Sequence, residues 1–188
     1  MRMSIYSFIK QYVSMPRTVG AILPSSKYLA EKMVRNIDFA NARCIVEYGP
    51  GTGVFTEKIL EEKAQDTVVL LFETNREFYF LLKDKYESKP NIHIVNDSAE
   101  NIDKYLLKYN ISGVDYIVSG LPFASLPHDV SSNILEQTKK HLKDEGMFIT
   151  FQYTLFKKDF IGRYFNRIEI LREIRNVPPA YVFCCMKV

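Results

Sequence analysis

Cys44-Ile45-Val46-Glu47-Tyr48-Gly49-Pro50-Gly51-Thr52-Gly53 couples a short apolar run to three glycines spaced two apart, with an acid two positions before the first of them. The run reads as a buried strand, and the residues from the glycines to Ala64 as a helix. Glycines at such a strand-to-helix turn permit a tight bend and let a ligand approach the backbone closely. A purely structural turn uses the same residues, so the spacing has to discriminate. A dinucleotide fingerprint reads G-x-G-x-x-G, whereas this turn reads G-x-G-x-G, and the Gly-Lys-Ser/Thr of a Walker A loop is absent.

Outward from this turn the pattern alternates. Residues 67–73 form a second expected strand, 75–87 a helix, 91–97 a short third strand and 99–109 another helix. Residues 114–120 are a fourth strand, a helix runs from about His128 to Leu142, and 146–153 is a fifth strand. The tail, 167–177 and 180–188 around Pro178-Pro179, reads as two strands joined in a hairpin. Upstream, Pro16 ends a helix over residues 3–14, and Ser25 or Ser26 caps a second one running to about Asn36. Strands alternating with helices of this length indicate βαβ units and a mainly parallel sheet, which binds ligands at the carboxyl ends of its strands.

Two of those ends carry acids. Glu73 closes the second strand, where a carboxylate can accept hydrogen bonds from both hydroxyls of a ribose. A surface glutamate favoured by the following helix N-terminus is the plainer account. Asn96-Asp97-Ser98-Ala99 closes the third strand; Asp97 either accepts from an adenine amino group, with the Ser98 backbone beside the ring, or caps the next helix. Dinucleotide domains do not generally demand an acid there, whereas adenosylmethionine domains often carry one.

Together these motifs resemble those of the class I S-adenosylmethionine-dependent methyltransferases. VEYGPGTGVFTEKIL is similar to their motif I, LLFE to the ribose-binding acid and NDSAEN to the adenine-binding motif. Within that superfamily the chain is most similar to bacterial phospholipid N-methyltransferases and to ribosomal RNA adenine dimethyltransferases, from GAILPSSKYLA to PPAYVF. The resemblance implies an α/β Rossmann-like fold with a seven-stranded, mostly parallel sheet, order 3-2-1-4-5-7-6, and helices on both faces. It implies S-adenosyl-L-methionine as cofactor, held by Glu47, Gly49, Gly51, Gly53, Glu73, Thr74, Asp97, Ser98, Ala99 and Gly120. Residues 1–188 are then one domain, with a helical segment over 1–36 covering the cofactor and a core over 43–188.

The acceptor turns on the fourth strand end, Ser119-Gly120-Leu121-Pro122-Phe123. RNA adenine dimethyltransferases place an Asn before the Leu-Pro-Tyr/Phe run to accept from the adenine amino group. Here that position is Gly120, and Ser119, one residue earlier, would point the other way. The Gly-Gln-Asn/His-Phe signature of the RNA enzymes is also replaced by Gly20-Ala21-Ile22-Leu23. The segments GAILPSS, SGLPFASLP and NVPPAYV are instead similar to the phospholipid family's. A lipid amine becoming a bulky cation suits aromatic faces, which nominates Phe123 first, then Tyr153 and Tyr181; core packing accounts for them as well. Gly120, Leu121, Pro122, Phe123 and His128 are the expected catalytic segment, with His128 or Asp129 near enough to take the ammonium proton. Methylation of RNA adenine or of a small soluble amine, and a non-catalytic cofactor-binding module, are the alternatives.

Composition bounds the rest. A formal net charge of +3 does not suggest binding to nucleic acid by bulk electrostatics. Three cysteines, two of them adjacent, suggest reduced thiols in the cytoplasm, and no Cys/His spacing suits a metal. No apolar run approaches the ~20 residues needed to span a bilayer. The apolar stripe of Ile5, Phe8, Ile9, Tyr12 and Val13, with Arg2, Lys10 and Arg17 nearby, can lie on the inner face of an anionic membrane or pack on its own domain. Lys157, Lys158, Phe160, Ile161, Arg163, Tyr164, Phe165 and Arg167 can extend that surface, pack inward or contact RNA. Oligomeric state is not legible.

Overall fold

The computed structural model describes residues 25–187. The expected helix over residues 3–14, its membrane-facing stripe and the Gly20–Leu23 segment lie outside the described residues.

The first described helix, α1 (Lys27–Val34), is capped by Ser26, whose Oγ accepts from the Leu29 amide at 3.2 Å. It buries Leu29, Ala30, Met33 and Val34, a helical spacing that covers one face, each large side chain contributing roughly 1.5–3 kcal/mol. There follow β1 (Cys44–Tyr48), α2 (Val54–Glu62), β2 (Val68–Phe72), α3 (Arg76–Tyr86) and β3 (Ile92–Val95). A short 3-10 turn (Ala99–Asn101) leads into α4 (Ile102–Lys108), then come β4 (Val114–Ser119), α5 (His128–His141), β5 (Leu142–Gln152), α6 (Lys158–Gly162), β6 (Arg167–Glu173) and β7 (Ala180–Met186). The seven strands form one sheet in the order β3-β2-β1-β4-β5-β7-β6, with β7 antiparallel to both neighbours, as the resemblance implies.

Among the described residues three helices cover each face. Residues of α4, α5 and α6 pack with Cys44, Val46, Tyr48, Leu70 and Phe72; residues of α1, α2 and α3 pack with Ile45, Val69 and Leu71. Alternate strand residues thus serve opposite layers, so both layers need apolar partners and the central strands are mostly apolar, β2 wholly so. The neighbours Cys184 and Cys185 divide the same way, and all three cysteines are free and buried.

Three boundaries differ from the sequence reading. Strand β5 begins at Leu142, directly after α5, because Leu142 pairs with Val114 before the register shifts and Met147 pairs with Tyr116. Strand β6 stops at Glu173, short of residues 174–177. The basic-aromatic segment forms only the five-residue α6, and Ile161 and Phe165 turn into the core rather than outward. Among the described residues no helix is long and apolar enough to cross a membrane.

Candidate active site

At the end of β1 the chain turns through Gly49, Gly51 and Gly53, with φ of +63°, +56° and +89°. Gly51 shows what the turn leaves: a Cβ there would meet nothing within 4 Å, so its glycine is required by the left-handed backbone and the space beside it is open. Its amide donates to Glu73 Oε2 at 3.0 Å, which ties the β2 acid to the β1 turn. Glu73 is 6 % exposed and its Oε1 accepts from the Asn75 amide at 2.8 Å. Burial pushes its carboxyl above the ordinary range, against the pull of the Asn75, Gly51 and Thr74 amides.

Glu47 is wholly buried on the α2 side of the sheet. Thr56 Oγ1, from the first turn of α2, donates to Glu47 Oε2 at 2.7 Å, while Oε1 is buried with no hydrogen-bond partner among the described residues. Burial pushes this carboxyl up to about 8; the Thr56 hydrogen bond lowers it and the nearby Glu73 raises it further.

The β3 end is the most crowded. Asp97 Oδ1 accepts from the Ser98 amide and from Asn101 Nδ2, both at 2.8 Å, and Oδ2 accepts from Tyr105 Oη at 2.8 Å with Lys104 Nζ 3.5 Å away. Burial opposes ionisation, but these donors outweigh it and hold the carboxyl below its usual range. The Ser98 hydroxyl caps the 3-10 turn by accepting from the Glu100 amide, and Ala99 is buried beneath it. Asn96 donates to the carbonyls of Glu73 and Thr74 at 2.7 and 3.1 Å, fixing the β3 end to the β2 end; the Thr74 side chain is exposed.

These groups suit the expected cofactor. Its sulfonium and ammonium are cationic, and the turn offers two buried carboxyl groups, one with an oxygen that no group among the described residues satisfies. Glu47 and Glu73 with the glycine turn would hold the charged and ribose portions, and the Asp97–Ala99 segment the adenine. Among the described residues no cluster of His, Cys, Asp or Glu suits a metal ion.

The other half of the site has a different character. Gly120 donates its amide to the Tyr48 carbonyl at 2.8 Å, and a Cβ on it would lie 2.7 Å from the Gly49 carbonyl oxygen. The β4 turn therefore sits directly on the β1 turn, and only glycine fits without moving the backbone. Ser119 is buried and its Oγ accepts from the Leu121 amide at 3.2 Å. Leu121 packs beneath Gly49, where a Cβ would come within 2.9 Å of Leu121 Cδ2. Pro122 continues the turn, its carbonyl accepting from the Ser125 amide at 2.8 Å.

Phe123 does not face the site that its motif position predicts. Its ring is wholly buried, edge-on to Phe148 at 6.1 Å, because the chain folds back under the sheet before α5. It is a core residue, with no face to offer an ammonium. His128, at the start of α5, is exposed and its ring lies 5.1 Å from that of Phe160. Tyr153 and Tyr181 do stand at the carboxyl end of the sheet. Tyr153 follows β5 against Phe151, and burial raises its hydroxyl's pKa although a hydrogen bond with Asn176 lowers it. Tyr181, opposite Gln152, has the Arg172 guanidinium 5.9 Å from its ring centre.

Sequence reasoning passed over Thr56, Asn96, Tyr105 and Asn176. The first was detectable as a polar residue among Phe55 and Ile59 on the apolar face of α2.

The family model described as ribosomal RNA adenine dimethylase matches residues 21–171. The chain is 30% identical over 182 residues to an ornithine lipid N-methyltransferase of Singulisphaera acidiphila, covering 96% of this chain and 94% of that one. It is 29% identical over 130 residues to ribosomal RNA small subunit methyltransferase A of Ureaplasma urealyticum serovar 10, covering 68% of this chain and 44% of that one. The fold is shared with a solved precorrin-6y C5,15-methyltransferase from Geobacter metallireducens, with a TM-score of 0.64 at 13% identity over 86% of this chain and 87% of that one.

Proposed function

Because the chain belongs to the ribosomal RNA adenine dimethylase family of S-adenosylmethionine-dependent methyltransferases, we propose that its acceptor is the amino headgroup of a membrane lipid, phosphatidylethanolamine or a related aminolipid, rather than adenine. The observation that carries this reading is Gly120. The RNA adenine dimethyltransferases that the chain resembles carry a polar side chain at that position to accept from the base, and here the Gly49 carbonyl occupies the space where one would begin. Ser119 does not replace it, since its hydroxyl is engaged within the turn. The likeness to a lipid N-methyltransferase over nearly the whole of both chains supports the same acceptor class.

The cofactor supplies a methyl group already activated by its sulfonium, so the protein's work is alignment and the exclusion of water. Glu47 and Glu73 are buried acids beside the glycine turn, and a bound cationic cofactor would favour their ionised forms. The Gly120–Pro122 turn, closed onto Gly49, forms a rigid apolar floor between that charge and the acceptor. Tyr153 and Tyr181 remain the aromatic candidates for the headgroup. Tyr181 already presents its ring to a guanidinium, a geometry that also suits an alkylated ammonium. The lipid amine must lose its proton before attack; His128, exposed beside Phe160, is the candidate to receive it.

The test is transfer of labelled methyl from S-adenosylmethionine to phosphatidylethanolamine vesicles, ornithine-lipid vesicles and RNA in parallel. Label in a lipid, lost in Glu73→Ala, is the expected result. Label confined to RNA would overturn the reading of Gly120, and label confined to a soluble amine would remove the membrane from the account.

A further inference from the structure

Among the described residues six large apolar side chains are strongly exposed, and four of them lie on two loops: Leu155 (46 %) and Phe156 (82 %) after β5, Ile174 (67 %) and Val177 (73 %) between β6 and β7. Strand β7 runs between β5 and β6, with Gln152 opposite Tyr181 and Glu173 opposite Ala180. Both loops therefore leave the sheet side by side at its carboxyl end, the end that carries the glycine turn.

The β6–β7 loop is firmly based: Asn176, 3 % exposed, donates to the Pro178 carbonyl at 2.8 Å and accepts from the Ser26 amide at 3.1 Å. Ile174 and Val177 thus project from an ordered platform. The charge of the two loops is mainly positive: residues 153–158 and 174–179 hold three cations, with Lys158 opening α6 and the exposed Asp159 following it. Arg175 is engaged by Glu173 at 2.9 and 3.0 Å, which leaves Lys157 and Lys158 to carry the loops' positive charge outward.

We propose that these two loops form a membrane-docking rim, in which Leu155, Phe156, Ile174 and Val177 enter the headgroup boundary of an anionic bilayer and Lys157 and Lys158 face its phosphates. Contiguous exposed apolar groups mark interaction surfaces, and cations beside them match an anionic membrane. A bilayer fits better than RNA, because three of the four side chains are aliphatic and give bases nothing to stack on. The inference rests on the lipid reading above and deepens it: docked by this rim, the sheet end faces the bilayer and meets a headgroup amine without extracting the lipid. The surface differs from the one expected from sequence, since Ile161 and Phe165 are core residues.

The experiment compares the full chain with the variant Leu155→Ser/Phe156→Ser/Ile174→Ser/Val177→Ser, and with Lys157→Glu/Lys158→Glu. Co-sedimentation uses vesicles of phosphatidylcholine alone and of phosphatidylcholine with phosphatidylglycerol. Unchanged S-adenosylmethionine affinity serves as the check on folding. The wild type is expected to bind the anionic vesicles, the serine variant at least tenfold more weakly, and the lysine variant without preference for the anionic ones. Phe156→Ser alone is expected to show the same direction of loss. The serine variant is expected to keep methylating detergent-dispersed aminolipid. Wild-type vesicle binding by the serine variant, or its loss of RNA binding with vesicle binding intact, would overturn the rim while leaving the lipid acceptor untouched. Rim-dependent vesicle binding by an enzyme that methylates no lipid would support the rim and overturn the acceptor instead.

Discussion

Glu47 at the end of β1 and Glu173 at the end of β6 are both buried carboxylates at the carboxyl end of one sheet, and their surroundings push them in opposite directions. Glu47 has a single side-chain donor among the described residues, Thr56, and one oxygen with none; burial takes it up to about 8. Glu173 accepts from Arg175 Nε, Nη2 and backbone N, with Lys32 Nζ at 3.1 Å, and these partners bring it down to about 2 against the cost of burial. Low solvent exposure therefore does not mean equal role: Glu47 lies deep in the core, whereas Glu173 is covered largely by its own partners near the surface. Glu173 is answered from within the chain, clasping α1 to the β6–β7 loop. Among the described residues no cation answers Glu47, which suits a site for a cationic ligand.

The largest effect should come from breaking the satisfied member. Glu173→Ala removes the acceptor of several donors at once, and because Arg175 and Lys32 can turn to water the cost stays below that of breaking a fully buried pair. For a chain of this size the melting temperature should fall by roughly 5 °C. Cofactor affinity should stay within about threefold, because Glu173 and Glu47 share no partner. The pH dependence has a definite sign. A carboxyl depressed on folding gives stability that is full above its unfolded value near 4.5 and is lost as pH falls toward 2. Thermal melts between pH 2 and 6 should show that loss in the wild type and a flatter profile in Glu173→Gln. An affinity loss as large as the stability loss would show that the clasp is part of the cofactor site.

Glu47→Gln should do the reverse. A hydrogen bond to a charged group contributes about 1.5–3 kcal/mol, so affinity for S-adenosylmethionine should drop between roughly tenfold and a hundredfold. Stability without cofactor should not drop. A carboxyl raised on folding contributes stability that is full below the unfolded value near 4.5 and erodes as pH rises through about 8, so at pH 9 the amide variant should melt at or above the wild type. Wild-type affinity should climb with pH and level off past about 8, since the cationic ligand favours the ionised acid. Titration calorimetry across pH 6.5–9 measures this, and a flat profile would mean that Glu47 does not meet the cofactor's charge.

How much of this contrast the sequence reveals depends on where each partner lies. The glycine turn, Glu73 and Asp97 are legible because their chemistry is local: each sits at a strand end that hydrophobic patterning locates. The strand order follows from the resemblance. The unpartnered oxygen of Glu47 is not legible, since it depends on how α2 sets Thr56 against the sheet. Glu173 looks like one more acid in an alternating strand, and its partner Lys32 comes from a helix near the other end of the chain. Phe123 misleads for the same reason: its motif position suggests the site, but its burial against Phe148 is a tertiary fact.

Asp97 gives the smallest and most discriminating test, because it lies between the two cases. Like Glu173 it is surrounded by donors and held below its usual range; like Glu47 it stands where the cofactor is expected. A carboxylate offers about four acceptor positions, and Ser98, Asn101 and Tyr105 occupy three at 2.8 Å, leaving the position that Lys104 approaches at 3.5 Å. One position suffices for an adenine amino group, and an asparagine oxygen can also accept there. Asp97→Asn should therefore cost about 1 kcal/mol of stability through weakened bonds to Tyr105 and Asn101, and reduce cofactor affinity less than about tenfold. A hundredfold loss, as for Glu47, would mean that the donors around Asp97 let go when the cofactor binds, and that the order of the β3 turn belongs to the cofactor-free state alone.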